Sequence, residues 1–228
     1  MRTDAPSYPS RLLDGLVSPN REHAGRIIAA SPTLEINGAL PTSPTAFATA
    51  AFVVVEEGFA VVRATTPTLA RSIVTADAGP GALLVPPSRD EVLVALGRSR
   101  LTAISPEVRD QLLSAPAVAQ RMVEQLALAL AQRQEALATF APTRHIERVR
   151  RKLLQLARRY GHVVRDGIRI DFPVSHALLA EMIGSSRETV TRAVDELQRA
   201  GFVARAGSTY LLRVSPESVA RTAAGTWM

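Results

Sequence analysis

The sequence predicts an α+β chain: an N-terminal antiparallel sheet, a long helix, and a C-terminal winged helix-turn-helix. Three observations carry this prediction. Short aliphatic runs fill residues 47–104, most of them separated by Gly, Pro, Thr or Asp clusters. The apolar period lengthens to three and four residues between Pro106 and Phe140. Beyond Ala141-Pro142-Thr143, the patterns run helix, hairpin, helix, helix, hairpin.

The elements follow in order. Residues 1–45 are rich in Pro, Ser and Gly and weakly patterned, with short apolar pieces at Leu12, Leu13 and Leu16. FVVV, FAVVR, RSIVTA, ALLV, EVLVAL and RLTAI read as short strands of a sandwich or barrel, with turns at Glu56-Glu57-Gly58 and Thr66-Pro67-Thr68. Ser105 is placed to cap a helix that begins with Pro106. A longer helix is expected over about 116–140. Along it Val123, Leu126, Leu130, Leu137 and Phe140 fall at steps of three and four, and Arg133 occupies the missing seam position. Such a stripe packs either on the chain's own sheet or on a second copy. Pro142 ends that helix.

The second domain opens with a helix near 143–160, whose apolar stripe is Ile146, Val149, Leu153, Leu156 and Tyr160. Arg144, Arg148, Arg151, Arg158 and Arg159 lie outside the stripe. Asp166-Gly167 signals a hairpin turn, and helices are expected around 175–183 and 186–199. Gly207-Ser208 marks a second hairpin between FVARA and TYLLRV.

Composition narrows the chemistry. The chain has 228 residues, 46% hydrophobic and only 4% aromatic, so its core is aliphatic and stacked-aromatic RNA platforms are disfavoured. It has no cysteine, which removes disulfides, thiolate nucleophiles, cysteine-ligated zinc and iron–sulfur clusters. The first residues show no secretory h-region, and the apolar run VVVEEGFAVV is broken by two glutamates, so no membrane span is expected and the cytoplasm is the expected location. His23, His145, His162 and His176 lack metal-ligand spacing, so no metal site is expected. No Ser/His/Asp order, paired carboxylates, phosphate loop or HExxH appears, which argues against an enzyme.

The net charge of +6 is unevenly distributed. Residues 1–139 hold 12 arginines against 13 acids, whereas residues 140–214 hold 14 basic residues against seven acids. The excess in the second block suggests a polyanionic partner, with a solvated arginine-rich surface as the alternative.

Most of the information lies in Ser175–Leu197. Ala180 is small where two helices cross, Gly184 suits a left-handed turn, and Val190 joins the two helices. Val190, Ala193, Val194 and Leu197 form the buried face of the second helix, which leaves Arg187, Glu188, Thr191 and Arg192 on the opposite face. Arginine donates in pairs to guanine and glutamate accepts from cytosine, so this face suits the major groove. Ser185 or Ser186 can cap the helix and reach a phosphate. Ser185-x-x-Glu188 also reads as a capping box, and Glu188 with Arg192 as a surface ion pair.

Gly184-Ser-Ser-Arg-Glu-Thr-Val-Thr-Arg192 resembles the recognition-helix signature of the CRP/FNR family of bacterial transcription regulators. The likeness extends over about 143–214. It implies a jelly-roll-like antiparallel β-roll related to cyclic-nucleotide-binding domains at 1–115, a dimerisation helix and hinge at 116–141, and a winged helix-turn-helix at 142–228. It further implies that Arg187, Glu188 and Arg192 read base edges, that Ser186, Thr189 and Thr191 touch the DNA backbone, and that each half-site is TGTGA-like. Double-stranded DNA, a second copy held through 116–140, and RNA polymerase are the implied partners.

The effector site departs from the family pattern. The family places a Gly-Glu pair on the ribose and an Arg-Ser pair on the cyclic phosphate, where this chain has Gly81-Ala82 and Arg89-Asp90. Ala82 cannot accept a ribose hydroxyl, and Asp90 repels a phosphate, leaving Arg89 as the one effector-binding candidate. No cofactor is expected, and cyclic nucleotide binding is disfavoured. Two rival readings are an effector-independent architectural DNA binder and a winged-helix protein-interaction module.

Overall fold

The computed structural model describes residues 12–38, 41–42, 44–66, 71–138, 144–170 and 172–215. Two compact units divide the chain: residues 1–65 with 76–134, and residues 66–75 with 135–228. The proline break expected at 141–143 and the seam residue Phe140 lie outside the described residues.

The chain up to Ile104 forms helix α1 (Asn20–Ala29) and strands β1 (Thr33–Ile36), β2 (Phe52–Thr66), β3 (Arg71–Ala78), β4 (Leu83–Leu84) and β5 (Glu91–Ile104), all in the first unit except residues 66–75. These strands form one sheet in the order β1-β5-β2-β3, with β4 also paired to β2. Helices α2 (Pro106–Leu113) and α3 (Pro116–Ala138) follow. Ser105 caps α2 as expected, its side chain accepting from the Val108 N–H.

Both faces of the sheet are covered. Val53 and Val55 point into a cluster with Phe47, Val62, Leu93 and Leu101. Val54 points the other way, into a cluster with Leu13, Ile28, Leu112, Val118 and Met122 from the N-terminal segment and the three helices. The run FVVV is therefore continuously apolar because successive residues meet two different cores.

The Glu56-Glu57-Gly58 segment is not a turn. FVVV and FAVVR are two halves of the single strand β2, and EVLVAL and RLTAI are two halves of β5. The pairing shifts between Val55 and Glu57 and again between Glu57 and Phe59. Bulges absorb the irregularity. Gly58 supplies a φ of 77° and Gly97 one of 82°. Ser99 closes the gap, accepting from the Phe59 N–H at 3.2 Å and donating to the Phe59 carbonyl at 3.1 Å. Arg100 binds Glu56 at 2.6 Å and Glu57 at 3.1 Å, so the two acids remain in the strand as ion-pair partners. Thr66 ends β2, and the rest of the turn expected at 66–68 lies outside the described residues.

Two elements were not anticipated. α1 buries only Ala24, Gly25 and Ile28 and has no side-chain cap, while β1 is four residues long and exposes three of them. Neither leaves a long apolar period.

The second unit has the expected order. α4 (His145–Tyr160) leads to β6 (Gly161–Val164) and β7 (Gly167–Ile170), then α5 (His176–Ile183), α6 (Arg187–Arg199), β8 (Val203–Ala206) and β9 (Thr209–Leu212). The strands form one sheet in the order β6-β7-β9-β8. Val164 pairs with Gly167, so the first hairpin turns at Arg165-Asp166, one residue before the expected position. The α4 stripe is wider than expected, because Lys152 and Leu154 are buried beside Val149, Leu153 and Leu156.

A Cβ at position 58 would stand 2.3 Å from the Arg98 carbonyl oxygen and 2.7 Å from the Ser99 Cα, at a left-handed φ. Gly58→Ala is therefore expected to cost about 2–3 kcal/mol, read as a lowered midpoint in thermal or denaturant unfolding.

Candidate nucleic-acid interface

α5 and α6 form the helix-turn-helix. Gly184 ends α5 at φ 62°, ψ 46°, and its N–H returns to the Ala180 carbonyl. The Ser185 N–H also donates to the Ala180 carbonyl, at 2.9 Å. Only glycine takes this left-handed position without strain, which is why the chain turns here. Val190 is fully buried, and Ala180 nearly so.

α6 buries Val190, Ala193, Val194 and Leu197, the four positions expected. Arg187, Glu188 and Arg192 are exposed on its other side, at the N-terminal end. The fold thus brings these three candidate base-reading residues onto one solvent face of one helix.

Ser186, not Ser185, is the N-cap. Its hydroxyl oxygen accepts from the Thr189 N–H at 3.2 Å and lies 2.9 Å from the Thr189 hydroxyl. The capping box expected from Ser185-x-x-Glu188 is therefore displaced by one residue, and Thr189 occupies its far end. The reason lies in the turn: Ser185 closes the α5 end through its backbone, and its side chain meets His145 Nδ1 at 3.2 Å. Glu188 stays exposed. Hydrogen bonds from its own backbone N–H and from Ser186 hold its carboxyl below the ordinary carboxylate range, and the charges of Arg187 and Arg192 add to the lowering. A carboxylate at a helix N-terminus is favoured in any case.

Thr191 differs from the other two candidate backbone contacts. Its side chain is half-buried, donates to the Arg187 carbonyl at 2.9 Å, and meets His176 Nδ1 at 2.8 Å. His145 and His176, each expected to be an ordinary surface or core histidine, both make side-chain bonds to the turn or to α6. Their partners lie 40 and 15 residues away, so no local spacing marks them.

In the first unit, Arg89 and Asp90 are exposed in the turn before β5. The Gly81 N–H donates to the Val55 carbonyl and the Val55 N–H to the Ala82 carbonyl, while Ala82 packs against the sheet core. Among the described residues, no group of three or more His, Asp or Glu side chains is placed to hold a metal ion. No described helix is long and apolar enough to cross a membrane.

Residues 147–216 match the family model of the Crp-like helix-turn-helix domain. The chain is 34% identical over 103 residues to the global nitrogen regulator of Synechocystis sp., covering 45% of this chain and 46% of that protein. It is 29% identical over 116 residues to the CRP-like cAMP-activated global transcriptional regulator of Mycobacterium tuberculosis, covering 51% of each. It thus spans about half the length of the curated relatives it matches. A CRP-family transcriptional regulator from Thermus thermophilus superposes with a TM-score of 0.65 at 20% identity, over 86% of this chain and 98% of that one. The c-di-GMP responsive global regulator CLP of Xanthomonas campestris gives 0.65 at 21% identity, over 83% and 97%. These likenesses establish the fold.

Ser186→Ala removes one capping bond and one partner of Glu188. The variant is expected to lose about 1 kcal/mol of stability in thermal unfolding. In an NMR titration its Glu188 carboxyl should move up toward the ordinary range.

Proposed function

We propose that the chain, whose residues 147–216 match the Crp-like helix-turn-helix domain and whose fold is shared with CRP-family regulators, is a member of the CRP/FNR family and a sequence-specific DNA-binding transcription regulator. In this reading it binds a near-palindromic operator as a homodimer and catalyses no reaction. The cytoplasm is its place of action, and RNA polymerase is its partner at the promoter. One observation carries the proposal: Arg187, Glu188 and Arg192 stand together on the exposed face of a capped helix whose opposite face is wholly buried. Two guanidinium groups and an ionised carboxylate at a helix N-terminus suit the donor and acceptor pattern of the major groove. Ser186 and Thr189 meet the backbone at the same end. Thr191, bonded on both sides of its hydroxyl, positions the face instead.

The homodimer reading is supported by α3, where Val123, Leu130 and Leu137 recur every seven residues and are all exposed. Two recognition helices held about one helical turn apart (~34–36 Å) would read the two half-sites. The effector site is degenerate in this reading. Ala82 presents no acceptor for a ribose, its backbone is already paired to β2, and Asp90 opposes a phosphate beside Arg89.

Selection of duplexes from a random pool, with and without cyclic nucleotides, tests the whole reading. A palindromic consensus that is indifferent to nucleotide is the expected result. Sequence-indifferent recovery would point to an architectural protein, and nucleotide-dependent recovery would restore the effector site. On the selected duplex, Arg187→Ala is expected to cost about 1–3 kcal/mol and relax choice at one base pair. Leu130→Asp is expected to shift the sedimentation profile from dimer to monomer and to weaken operator binding more than half-site binding.

A further inference from the structure

His176 stands at the first position of α5, and its ring reaches Thr191 one helix away. The Thr191 hydroxyl carries a single hydrogen, which it donates to the Arg187 carbonyl at 2.9 Å. Toward His176 Nδ1, 2.8 Å away, the same oxygen must therefore accept, which puts the ring proton on Nδ1. Nε2 is then a bare acceptor. It is buried and meets no hydrogen-bond partner in the described fold. The opposite tautomer would enclose an unsatisfied N–H there, the costlier arrangement.

We propose that His176 is a positioning residue for the reading face of α6: as a neutral ring protonated on Nδ1 it holds Thr191, and through Thr191 the Arg187 turn, and it releases that hold on taking a second proton. This inference rests on the reading of α6 as the DNA-contacting helix. The second proton goes to Nε2 and leaves the Nδ1–H in place, but it puts an N–H in the enclosed, partnerless site, so the charged ring turns out to water and the Nδ1–H bond to Thr191 breaks with it. The charged groups acting on the ring are Arg205 on β8 and Asp195 and Arg187 on α6, two cations against one anion. The first turn of α5 adds its own unfavourable field for a cation. Burial first, and then Arg205, keep the ring neutral to lower pH than an ordinary histidine. The sign follows: the tie is complete above the ordinary imidazole value of about 6.5 and is lost as pH falls through the lower folded value.

The geometry explains why this tie bears on recognition. Thr191 is the only candidate contact residue whose side chain is bonded both to α5 and to the backbone of Arg187. Loosening it frees the turn that carries Arg187 and Glu188 without touching the apolar face of the helix. The effect therefore falls on sequence discrimination, while non-specific affinity, set by charge, stays where it is.

The test compares the full chain with His176→Asn, His176→Ala and Thr191→Val. Each is titrated with a selected duplex and a random-sequence duplex from about pH 8 to about pH 5, on either side of the ordinary imidazole value. The Asn amide N–H stands where Nδ1–H stands and does not titrate. His145, which bonds Ser185, is present in every variant and is thereby controlled. The wild-type ratio of selected to random affinity should fall on acidification, whereas the ratio in His176→Asn should hold constant. His176→Ala and Thr191→Val should show at pH 8 a ratio lowered roughly five-fold, the worth of one hydrogen bond, with random-duplex affinity unchanged. An acid loss in His176→Asn equal to the wild type, or an undiminished ratio in His176→Ala, would overturn the proposal. A wild type that prefers no sequence at pH 8 would instead remove the base-reading assignment. The tie itself is then decided by nitrogen-15 NMR of the imidazole without DNA. An Nδ1–H tautomer that disappears in acid supports it, and an Nε2–H tautomer rejects it.

Discussion

The burial of one face of α6 decides what the other face presents. Val190, Ala193, Val194 and Leu197 recur at steps of three, one and three and are all buried. Turning the helix by one residue would expose Val190 and Leu197 and bury charge, Arg192 and Glu196 in one direction and Asp195 in the other. Exposing a valine side chain costs roughly 1.5 kcal/mol or more, and burying an unpaired charge costs several times that. The rotation of α6 is therefore fixed by its apolar side, and Arg187, Glu188 and Arg192 face solvent as a consequence. Gly184 sets where the helix starts, and Ser186 satisfies its first free N–H groups. The candidate site is thus a by-product of packing, set by apolar residues and a glycine that lie behind it.

That dependence is why so much of the site was legible in the sequence. A helix period of 3.6 carries the buried face and hence its complement, and a left-handed corner requires glycine. What was not legible has equally physical reasons. Which of Ser185 and Ser186 caps the helix was not legible because two adjacent serines are locally equivalent, and only the α5 end and His145 distinguish them. The Glu56-Glu57-Gly58 segment carried every local mark of a turn. It is a bulge because Arg100, Gly97 and Ser99 lie opposite it on β5, some 40 residues along the chain. α1 escaped notice because it buries small residues, and His176 because its partner lies on another helix.

Counted by sequence blocks, residues 140–214 are strongly basic. The fold spends part of that charge internally. Arg158 meets both oxygens of Glu135 at 3.1 Å, and Arg159 meets one of them at 2.5 Å with a side chain only 9% exposed. Glu135 belongs to α3 and falls outside the basic block, so the sequence count misses this neutralisation. Arg150 lies over the Phe202 ring and Arg205 over Tyr210, at 5.1 and 5.6 Å from the ring centroids. A guanidinium over an aromatic face keeps its charge but loses freedom of direction. The field toward a polyanion therefore comes from a subset of the arginines, and its strength is smaller than the formal excess.

α3 poses the remaining problem, because it is apolar on two sides. Val118 and Met122 are buried in the first unit's core, and Leu126 packs against the same cluster. Leu126 therefore leaves the expected seam, and the exposed line becomes Val123, Ala127, Leu130, Gln134 and Leu137, at steps of four, three, four and three. That is a heptad pattern independent of the inward face. A helix whose inner residues already have a core gains nothing from an outer aliphatic line unless something covers it. In the dimer reading the cover is a second copy of the same line. Ala127 lets two backbones approach closely, and Gln134, polar within the line, disfavours slipped pairings, since a shift would set it against leucine. In that reading the outer face of α3 would specify alignment as well as association. Fixed alignment is what two recognition helices require if they are to meet half-sites at one spacing.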